Sequence, residues 1–361
     1  MNSLNTLVSV LVCPNEIKQF SENSWNELVS EGYHTNLLAR LFYLFERANL
    51  TPLVPERILW HFESAYRMSL AHGRDVRIEI EKINRALKQG GISPIFLKGA
   101  AYELAGDEVS FGRVYSDVDI FVPKAEIEAA EYILKLHGWS SSQLDPYDLE
   151  YYRRWMHEIP PLFHRERGTT LDVHHNLLPL TCRIKIDDTK LFGSHDSRQP
   201  QVLKVEDRIL HSVVHLFMEG EFDKGLRDLS DLDMLLRQHC VGNPDNWELI
   251  SKRAEELGVG RLWFYALKCC HSIFSTPIPI GVLDTCQKKF DLAYPLNALL
   301  LALFKTVLTK SPAISRGRKY SIAHFIMYLR GHWLRMPLTL LIPHLMRKLL
   351  RKPKENIKPV N

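Results

Sequence analysis

The sequence lacks the cysteine spacing of a zinc-binding or disulfide-linked protein. Its six cysteines form no Cys-x-x-Cys pair, and their positions match neither a zinc ribbon nor a secreted disulfide framework. Both classes of protein are therefore disfavoured. Free thiols in a reducing compartment are the expected state, which favours a cytoplasmic protein.

Long hydrophobic segments are missing as well. No stretch of about 18 uninterrupted apolar residues occurs, so no membrane-spanning helix is expected. The N-terminal stretch MNSLNTLVSVLVCPNE is briefly apolar, but no basic residue precedes it as in a signal peptide. The chain also contains no internal repeat and no low-complexity tract, so we expect an ordinary globular protein.

Acidic residues are almost absent from the C-terminal end. From Leu292 onwards there are 13 lysine and arginine residues and one acid, Glu355, a net charge of +12 in a chain whose total is +4. Three interpretations stay open: a solvated helical end, a contact with an acidic partner such as RNA or the front of the chain, and a contact with an anionic membrane. The prolines that argue against a continuous membrane-bound helix are Pro337, Pro343, Pro353 and Pro359.

The chain has ample apolar material for globular domains. Of its 361 residues, 45% are hydrophobic and 24% charged, which is typical of a folded protein of about two domains. Helical periodicity dominates before residue 91 and after residue 200, and short apolar runs bounded by Gly and Pro lie between. We predict an α+β protein with an N-terminal helical segment (1–90), a core with a small mixed β-sheet backed by helices (91–200), and a C-terminal helical domain with the basic tail (201–361).

Four strands and two helices are predicted within the core. The strands are ISPIFLKG, DVDIFV, PPLFHRE and TTLDVHHNL, and the turn RERG joins the last two. The helices are AAYELAG and KAEIEAAEYILKLHGW. The unusual polar residues of the sequence are concentrated in this part of the chain.

Two aspartates share one face of the strand DVDIFV. Successive side chains of a strand point to opposite faces, so Asp117 and Asp119 lie together, and the apolar residues Val118, Ile120 and Val122 pack on the other side. Carboxylates held this close repel each other unless one is protonated or a cation lies between them. Mg²⁺ is the expected cation, because it prefers oxygen ligands and keeps substrate phosphates in its coordination shell.

Residues upstream of this pair are suited to binding phosphate. Gly99 follows a strand and precedes a helix, an arrangement that lets backbone N–H groups approach an anion. Lys98, Arg113 and Ser116 supply positive charge and hydrogen bonds. We predict that these four residues contact a bound nucleotide.

A third carboxylate is predicted on the strand TTLDVHHNL. Asp172 and His174 share one face of this strand, and His175 lies on the apolar face as an expected core residue. If the strand lies antiparallel beside DVDIFV, Asp172 completes a cluster of three carboxylates that can hold two metal ions. His174 is then a candidate for contacting a phosphate or for supporting Asp172.

The motifs LKG, R-x-x-S-D-V-D-I-F-V and L-D-V-H resemble an uncharacterised bacterial nucleotidyltransferase family within the DNA polymerase β-like superfamily. The resemblance is strongest over residues 90–180 and weakens towards residue 275. It implies a small mixed sheet backed by helices, two Mg²⁺ ions with Mn²⁺ as a substitute, and transfer of a nucleoside monophosphate from an NTP such as ATP with release of pyrophosphate.

The resemblance also assigns roles to particular residues. It implies that Asp117, Asp119 and Asp172 are metal ligands, and that Asp172 activates the acceptor hydroxyl. Lys98 and Gly99 would occupy the phosphate-binding turn. Two departures concern that turn: Gly99 is followed by Ala where Gly or Ser is usual, and the interval from Gly99 to Asp117 is long. They weaken the role of the turn more than that of the acids.

Two further motifs look like metal sites but are interpreted otherwise. Asp231 and Asp233 are two residues apart on a predicted helix, so their side chains point in different directions, whereas Asp228 shares a face with Asp231. His211 and His215 are one helical turn apart, but no third ligand such as the Glu of HExxH accompanies them. We expect the two histidines to face a domain interface.

The sequence thus predicts a cytoplasmic, Mg²⁺-dependent nucleotidyltransferase with its nucleotide between the sheet and the C-terminal helices. The acceptor is open among a small hydroxyl compound, a sugar, a protein side chain and an RNA end, and so are the base preference and the oligomeric state. The alternative is a non-catalytic or self-modifying regulatory protein that keeps the fold, such as the antitoxin partner of a helical toxin.

Overall fold

A mixed six-stranded sheet lies at the centre of the protein. The computed structural model describes residues 5–141, 145–187, 189–190, 200–290, 295–309 and 317–350. The strands are β1 (Ile95–Leu97), β2 (Val118–Phe121), β3 (Trp139–Ser141), β4 (Leu162–His164), β5 (Thr170–His174) and β6 (Gln201–Val202). Their order across the sheet is β3-β4-β5-β2-β1-β6. The predicted α+β class is confirmed, and each of the four predicted strand regions contains a strand.

The direction of β5 differs from the expectation drawn from the sequence. β5 runs parallel to β2, with Asp119 opposite Asp172 and Phe121 opposite His174, so the antiparallel pairing was wrong. The reason is the long connection between the two strands, which includes two α-helices and the antiparallel pair β3–β4. A crossover of this length returns the chain to the same end of the sheet, as parallel pairing requires.

Helices precede, interrupt and follow the sheet, as predicted. Those up to the end of the sheet region are α1 (Thr6–Val12), α2 (Glu22–His34), α3 (Leu38–Arg47), α4 (Glu56–Gln89), α5 (Lys98–Ala105), α6 (Ile127–Leu136) and α7 (Pro146–Trp155). Those that follow it are α8 (Val205–Met218), α9 (Gly225–His239), α10 (Pro244–Glu256), α11 (Gly260–Phe274), α12 (Ile280–Phe290), α13 (Leu296–Leu308), α14 (Arg318–Arg335) and α15 (Leu338–Leu350).

One face of the sheet is apolar and is covered by α4 and α6. Val118, Ile120 and Val173 are buried in one cluster with Ile83 of α4 and Leu134 of α6. This confirms the predicted alternation along β2 and β5. The opposite face, which carries the aspartates, is left for the helices that follow the sheet.

The front and back helices share a second core. Phe45 of α3 and Trp263 of α11 belong to one cluster of buried apolar residues. Arg40 of α3 crosses the same region, where its Nη2 donates to Asp231 Oδ1 at 3.0 Å and to Val109 O at 2.8 Å. The domain boundaries at residues 90 and 200 stay a prediction from the sequence.

None of the described helices combines the length and the hydrophobicity that a membrane crossing needs. The basic tail is described as far as residue 350, in helix α15. The remainder of the tail, with Pro353, Glu355 and Pro359, lies outside the described residues.

Candidate active site

The predicted carboxylates lie on one face of the sheet. Asp119 of β2 and Asp172 of β5 are directly opposite each other in the parallel register, so their side chains project from the same face. Asp117 lies one residue before β2 and is half-buried, and Ser116 Oγ donates a hydrogen bond to Asp117 Oδ1 at 2.9 Å. The prediction from the strand pattern that Asp119 and Asp172 lie on one face of the sheet is therefore confirmed.

Asp119 is held by a lysine and a histidine. Lys98 Nζ donates to Asp119 Oδ1 at 2.6 Å, and His174 Nε2 lies 3.0 Å from the same oxygen. Burial opposes the charge of Asp119, but Lys98 and His174 outweigh it and hold the pKa of Asp119 well below its ordinary value. Burial also opposes the charge of Lys98, yet the Asp119 carboxylate raises the pKa of Lys98. The Lys98 ammonium thus stands where the sequence argument placed a metal ion.

His174 extends this contact to Glu158, a residue that the sequence analysis missed. His174 Nδ1 lies 3.4 Å from Glu158 Oε2, and His157 Nε2 lies 3.9 Å from the same oxygen. Both ring nitrogens of His174 therefore face a carboxylate, which fixes the orientation of the ring. His157 and Glu158 directly precede the predicted strand PPLFHRE in the sequence. Glu158 pairs with His174 at the end of β5, and a sequence pattern does not reveal such a long-range contact.

Asp172 is the least compensated of the acids. Its Oδ1 is buried and has no hydrogen-bond partner among the described residues. Burial, followed by the charges of Asp119 and Glu158, raises the pKa of Asp172 to about 7. A buried carboxylate oxygen without a partner is suited to receive a cation or a donated proton.

Two clefts meet along the row of acids. The first cleft has a volume of about 290 Å³. The predicted site residues that line it are Lys98, Gly99, Arg113, Ser116, Asp117 and Asp119. Helices α8 and α9 and the turn between them add residues to which the sequence analysis gave no firm role, namely His215, Glu219, Asp223, Lys224, Arg227 and Asp228. The predicted position of the nucleotide, between the sheet and the C-terminal helices, corresponds to this cleft.

The second cleft has a volume of about 330 Å³ and lies on the side of β5. It contains Asp172 and His174, so the structure does not bring His174 to the first cleft with the other predicted nucleotide contacts. Lys98, His215 and Glu219 line both clefts. The two spaces therefore adjoin at the carboxylates.

The N-terminus of α5 lies at the first cleft. This helix begins at Lys98, and no side chain caps its first backbone N–H groups, which are therefore available to an anion. Lys98 itself has a φ of 45°, in the left-handed region that is strained for a residue with a side chain. At Gly99, a Cβ would lie 3.0 Å from the Tyr115 ring and 3.3 Å from Arg113 Nε. Gly99 is thus also required for packing.

Arg113 and Arg227 bring two guanidinium groups to the first cleft. Arg113 forms an ion pair with Asp231 and lies over the Tyr102 ring, 5.4 Å from its centroid. Arg227 Nη2 donates to Asp228 Oδ1 at 2.7 Å. Burial lowers the pKa of Arg113, and the charge of Arg227 lowers it further. An anion bound in the cleft would relieve this repulsion.

The two aspartates of the α9 motif diverge, as predicted. Asp231 pairs with Arg40 and Arg113, whereas Asp233 lies 2.9 Å from Arg237 and accepts a hydrogen bond from Thr276 at 2.6 Å. They therefore do not share a metal-binding face. Asp228, on the face of Asp231, lines the first cleft.

His215 has candidate co-ligands that the HExxH pattern could not reveal. A nitrogen of His215 and carboxylate oxygens of Glu219 and Asp228 all lie within 4.8 Å of one another. Glu219 directly follows α8 and Asp228 belongs to the next helix, so the tertiary fold brings them together. His157, Glu158 and His174 form a second group of this kind.

The predicted acids fit Mg²⁺ by their chemistry, since they offer carboxylate oxygens and Asp172 Oδ1 has no protein partner. In the described part of the chain, they are not among the groups whose ligand atoms all lie within 4.8 Å of one another. Lys98 Nζ forms an ion pair with Asp119 Oδ1, where a metal ion would otherwise bind. The role of Asp117, Asp119 and Asp172 as metal ligands stays a prediction.

A sheet that presents carboxylates beside a cleft with an uncapped helix N-terminus is typical of enzymes that act on phosphorylated substrates. The chain belongs to a family described as uncharacterised nucleotidyltransferase, whose model matches residues 21–275. The match includes every predicted site residue and supports a general role in nucleotidyl transfer. Comparison with curated proteins and with solved structures gave no match.

Proposed function

We propose that this protein is a cytoplasmic, Mg²⁺-dependent nucleotidyltransferase. It transfers a nucleoside monophosphate from an NTP, such as ATP, to a hydroxyl acceptor and releases pyrophosphate. The observation that supports the proposal most is the position of the acids between two clefts, with Asp119 on the first and Asp172 on the second. A donor in the first cleft and an acceptor in the second can therefore reach neighbouring carboxylates on one face of the sheet.

The first cleft is assigned to the triphosphate. Lys98, Lys224 and Arg227 bring positive charge to this cleft beside its carboxylates, and no side chain caps the start of α5. Charge-assisted hydrogen bonds to phosphate oxygens are the strong ones. Ser116, which is exposed at the rim, adds a hydroxyl group.

Asp117, Asp119 and Asp172 are the residues that would hold Mg²⁺, with Mn²⁺ as a substitute. A bound divalent ion would polarise the phosphates and stabilise the charge of the displacement. His174, which is oriented by Glu158, keeps the Asp119 carboxylate in place.

Asp172 is assigned the role of the base that accepts the proton of the acceptor hydroxyl. The acceptor oxygen forms a bond to the α-phosphorus while the bond from that phosphorus to the bridging oxygen breaks. Pyrophosphate leaves with the electron pair, and the hydroxyl proton passes to the Asp172 carboxylate. Asp172 Oδ1 has no hydrogen-bond partner among the described residues, so this oxygen is open to the proton.

Labelled nucleotides test this proposal. The protein is incubated with each α-phosphate-labelled NTP, Mg²⁺ and a cell extract. Asp117→Asn is the impaired variant, and Asp245→Asn, an exposed carboxylate on α10, is the matched control. We expect transfer by the wild type and the control and a loss of roughly 100-fold or more in Asp117→Asn. Label found only on the protein itself would favour the self-modifying alternative, and no transfer from any NTP would contradict the proposal.

A further inference from the structure

The second cleft has the lining of a site for a small amphipathic molecule. Apart from its polar groups, its walls are formed by Met156, Leu177, Leu178, Pro179, Met218 and Met336. Its volume of about 330 Å³ is at the lower end of the range of small-molecule pockets. Methionine and leucine walls favour a hydrocarbon body, whereas a sugar covered with hydroxyl groups would leave them without an apolar partner.

One guanidinium group faces this apolar space. Arg335 is half-buried in the cleft wall, and its Nε donates to Met218 O at 3.1 Å. In the described part of the chain, no carboxylate lies within the 4.0 Å ion-pair distance of Arg335. Its terminal nitrogens are thus suited to an acidic group of a ligand, which a guanidinium can bind through two parallel hydrogen bonds.

The position of Arg335 is set by the docking of α14. This helix lies so close to the end of α8 that a Cβ at Gly331 would be 2.7 Å from Gly220 Cα. The carbonyl group of Arg335 accepts a hydrogen bond from Thr181 Oγ1 at 2.7 Å. Arg335 is therefore held both through its backbone and through its side chain. This is the geometry of a prepared binding residue rather than of a loose surface arginine.

The same lining argues against an RNA end as the acceptor. The lysine and arginine residues of the second cleft are Lys98 and Arg335, and Lys98 is already paired with Asp119. A nucleic-acid channel follows the backbone with several cations. Tyr151 and five histidines also line the second cleft, but its one available cation fits a single acidic group rather than a phosphate backbone.

We propose that the second cleft binds the acceptor, and that the acceptor is a compact hydroxy acid. Its apolar body contacts the methionine and leucine walls, its acidic group binds Arg335, and its hydroxyl group reaches Asp172. The role of this ligand as acceptor rests on the proposed function. Binding of the ligand to the cleft is independent of that function, because it can be measured without a nucleotide.

Calorimetry with 3-hydroxyoctanoate as the probe tests the cleft in the absence of nucleotide. Arg335→Gln is compared with Arg330→Gln, because Arg330 lies on the same helix and donates to Phe217 O at 2.9 Å but does not line the cleft. We expect Arg335→Gln to weaken binding of the hydroxy acid about tenfold or more, as the loss of a charged hydrogen bond should. Arg330→Gln should leave it within about threefold. Octane-1,3-diol, which lacks the acid, should bind equally to wild type and Arg335→Gln.

Three results would overturn the proposal: equal binding of 3-hydroxyoctanoate by wild type and Arg335→Gln, no binding by either, and displacement of the probe by a short RNA. A titration with Mg·NTP on the same proteins keeps the two proposals apart. If the hydroxy acid binds as expected but no NTP binds, the proposed function fails and the ligand site stands. If both bind, label should pass from the NTP to 3-hydroxyoctanoate and not to octanoate; failure of that transfer would overturn the role as acceptor.

Discussion

The Lys98–Asp119 ion pair is a short contact, 2.6 Å between Lys98 Nζ and Asp119 Oδ1, in the candidate site. The side chain of Asp119 is 4% exposed and that of Lys98 is 23% exposed. Lys98→Met should therefore destabilise the protein by about 3 kcal/mol or more, because it leaves a buried carboxylate with His174 as its close partner. Asp119→Asn should cost less, since Lys98 can turn towards water.

The double variant Lys98→Met/Asp119→Asn measures the coupling of this pair. It should be more stable than Lys98→Met alone, because no unpaired charge remains. Urea unfolding of the wild type, both single variants and the double variant gives the four free energies of unfolding. Losses that simply add would show that the two groups do not stabilise each other.

Asp172 should make the stability of the metal-free protein depend on pH. Its pKa is 3.8 as an ordinary aspartate and about 7 in the folded protein, so the folded state binds more protons between these values. Stability should therefore fall as pH rises from 4 to 7, by at most about 4 kcal/mol and by less at this half-buried position. In EDTA, Asp172→Asn should melt at a higher temperature than the wild type at pH 8 and at the same temperature at pH 4. A lower melting temperature of the variant at pH 8 would contradict the origin of the shift.

Among the elements, α14 lines the second cleft with His332 and Arg335 and contributes no residue to the first. A Cβ at Gly331 would meet the Gly220 backbone, so Gly331→Ala should displace α14. We expect binding of 3-hydroxyoctanoate to weaken about tenfold while Mg·NTP affinity stays within a few-fold. Gly281→Ala on α12 is the control, because its Cβ would meet nothing within 4 Å. A Gly331→Ala protein that binds the probe like the control would show that α14 does not form the site.

The sequence could predict the elements that local pattern defines. The alternation in DVDIFV placed Asp117 and Asp119 opposite a buried apolar face, and L-D-V-H placed Asp172 on the same face of the sheet. Strand direction could not be read in this way, because it depends on the long crossover before β5. Glu158 and Arg335 were missed for a related reason. Each reaches the site because a distant segment of the chain packs there, and the residues next to it in the sequence do not indicate this packing.

At the scale of the whole molecule, α14 exposes an apolar face, and we propose that this face and the basic tail contact anionic lipid. The outward face of α14 carries Ile322, Phe325, Leu329 and Trp333, which are between 47% and 59% exposed and follow helical spacing. The chain from Leu292 onwards has a net charge of +12. Apolar side chains beside an excess of bases are typical of helices that lie on anionic membranes.

Vesicle sedimentation tests this surface. We expect binding to vesicles that contain phosphatidylglycerol, weaker binding to phosphatidylcholine alone, and release by salt. The double variant Phe325→Ser/Leu329→Ser should lose binding, whereas Leu249→Ser, an exposed leucine on α10, should not. Equal binding to both kinds of vesicle would contradict the charge contribution. Self-association that the double variant abolishes would mean that a second copy covers this face.

The separate roles proposed for the two clefts depend on Asp172, which lines the second cleft and does not line the first, the assigned triphosphate site. Asp172 should therefore contribute to the transfer step and not to the binding of the NTP. Asp172→Asn keeps the size of the side chain and removes its charge, so it isolates this contribution. Asp245→Asn serves as the control for the loss of an exposed charge.

The decisive measurement is the affinity for Mg·NTP and the rate of label transfer, determined on the same preparation of Asp172→Asn at pH 8. We predict that the Kd for Mg·NTP stays within a few-fold of the wild type while transfer falls by roughly 100-fold or more, the pattern of an interaction made in the transition state. A proportionate loss of both would show that Asp172 builds the nucleotide site, and no change in either would show that Asp172 has no part in the reaction.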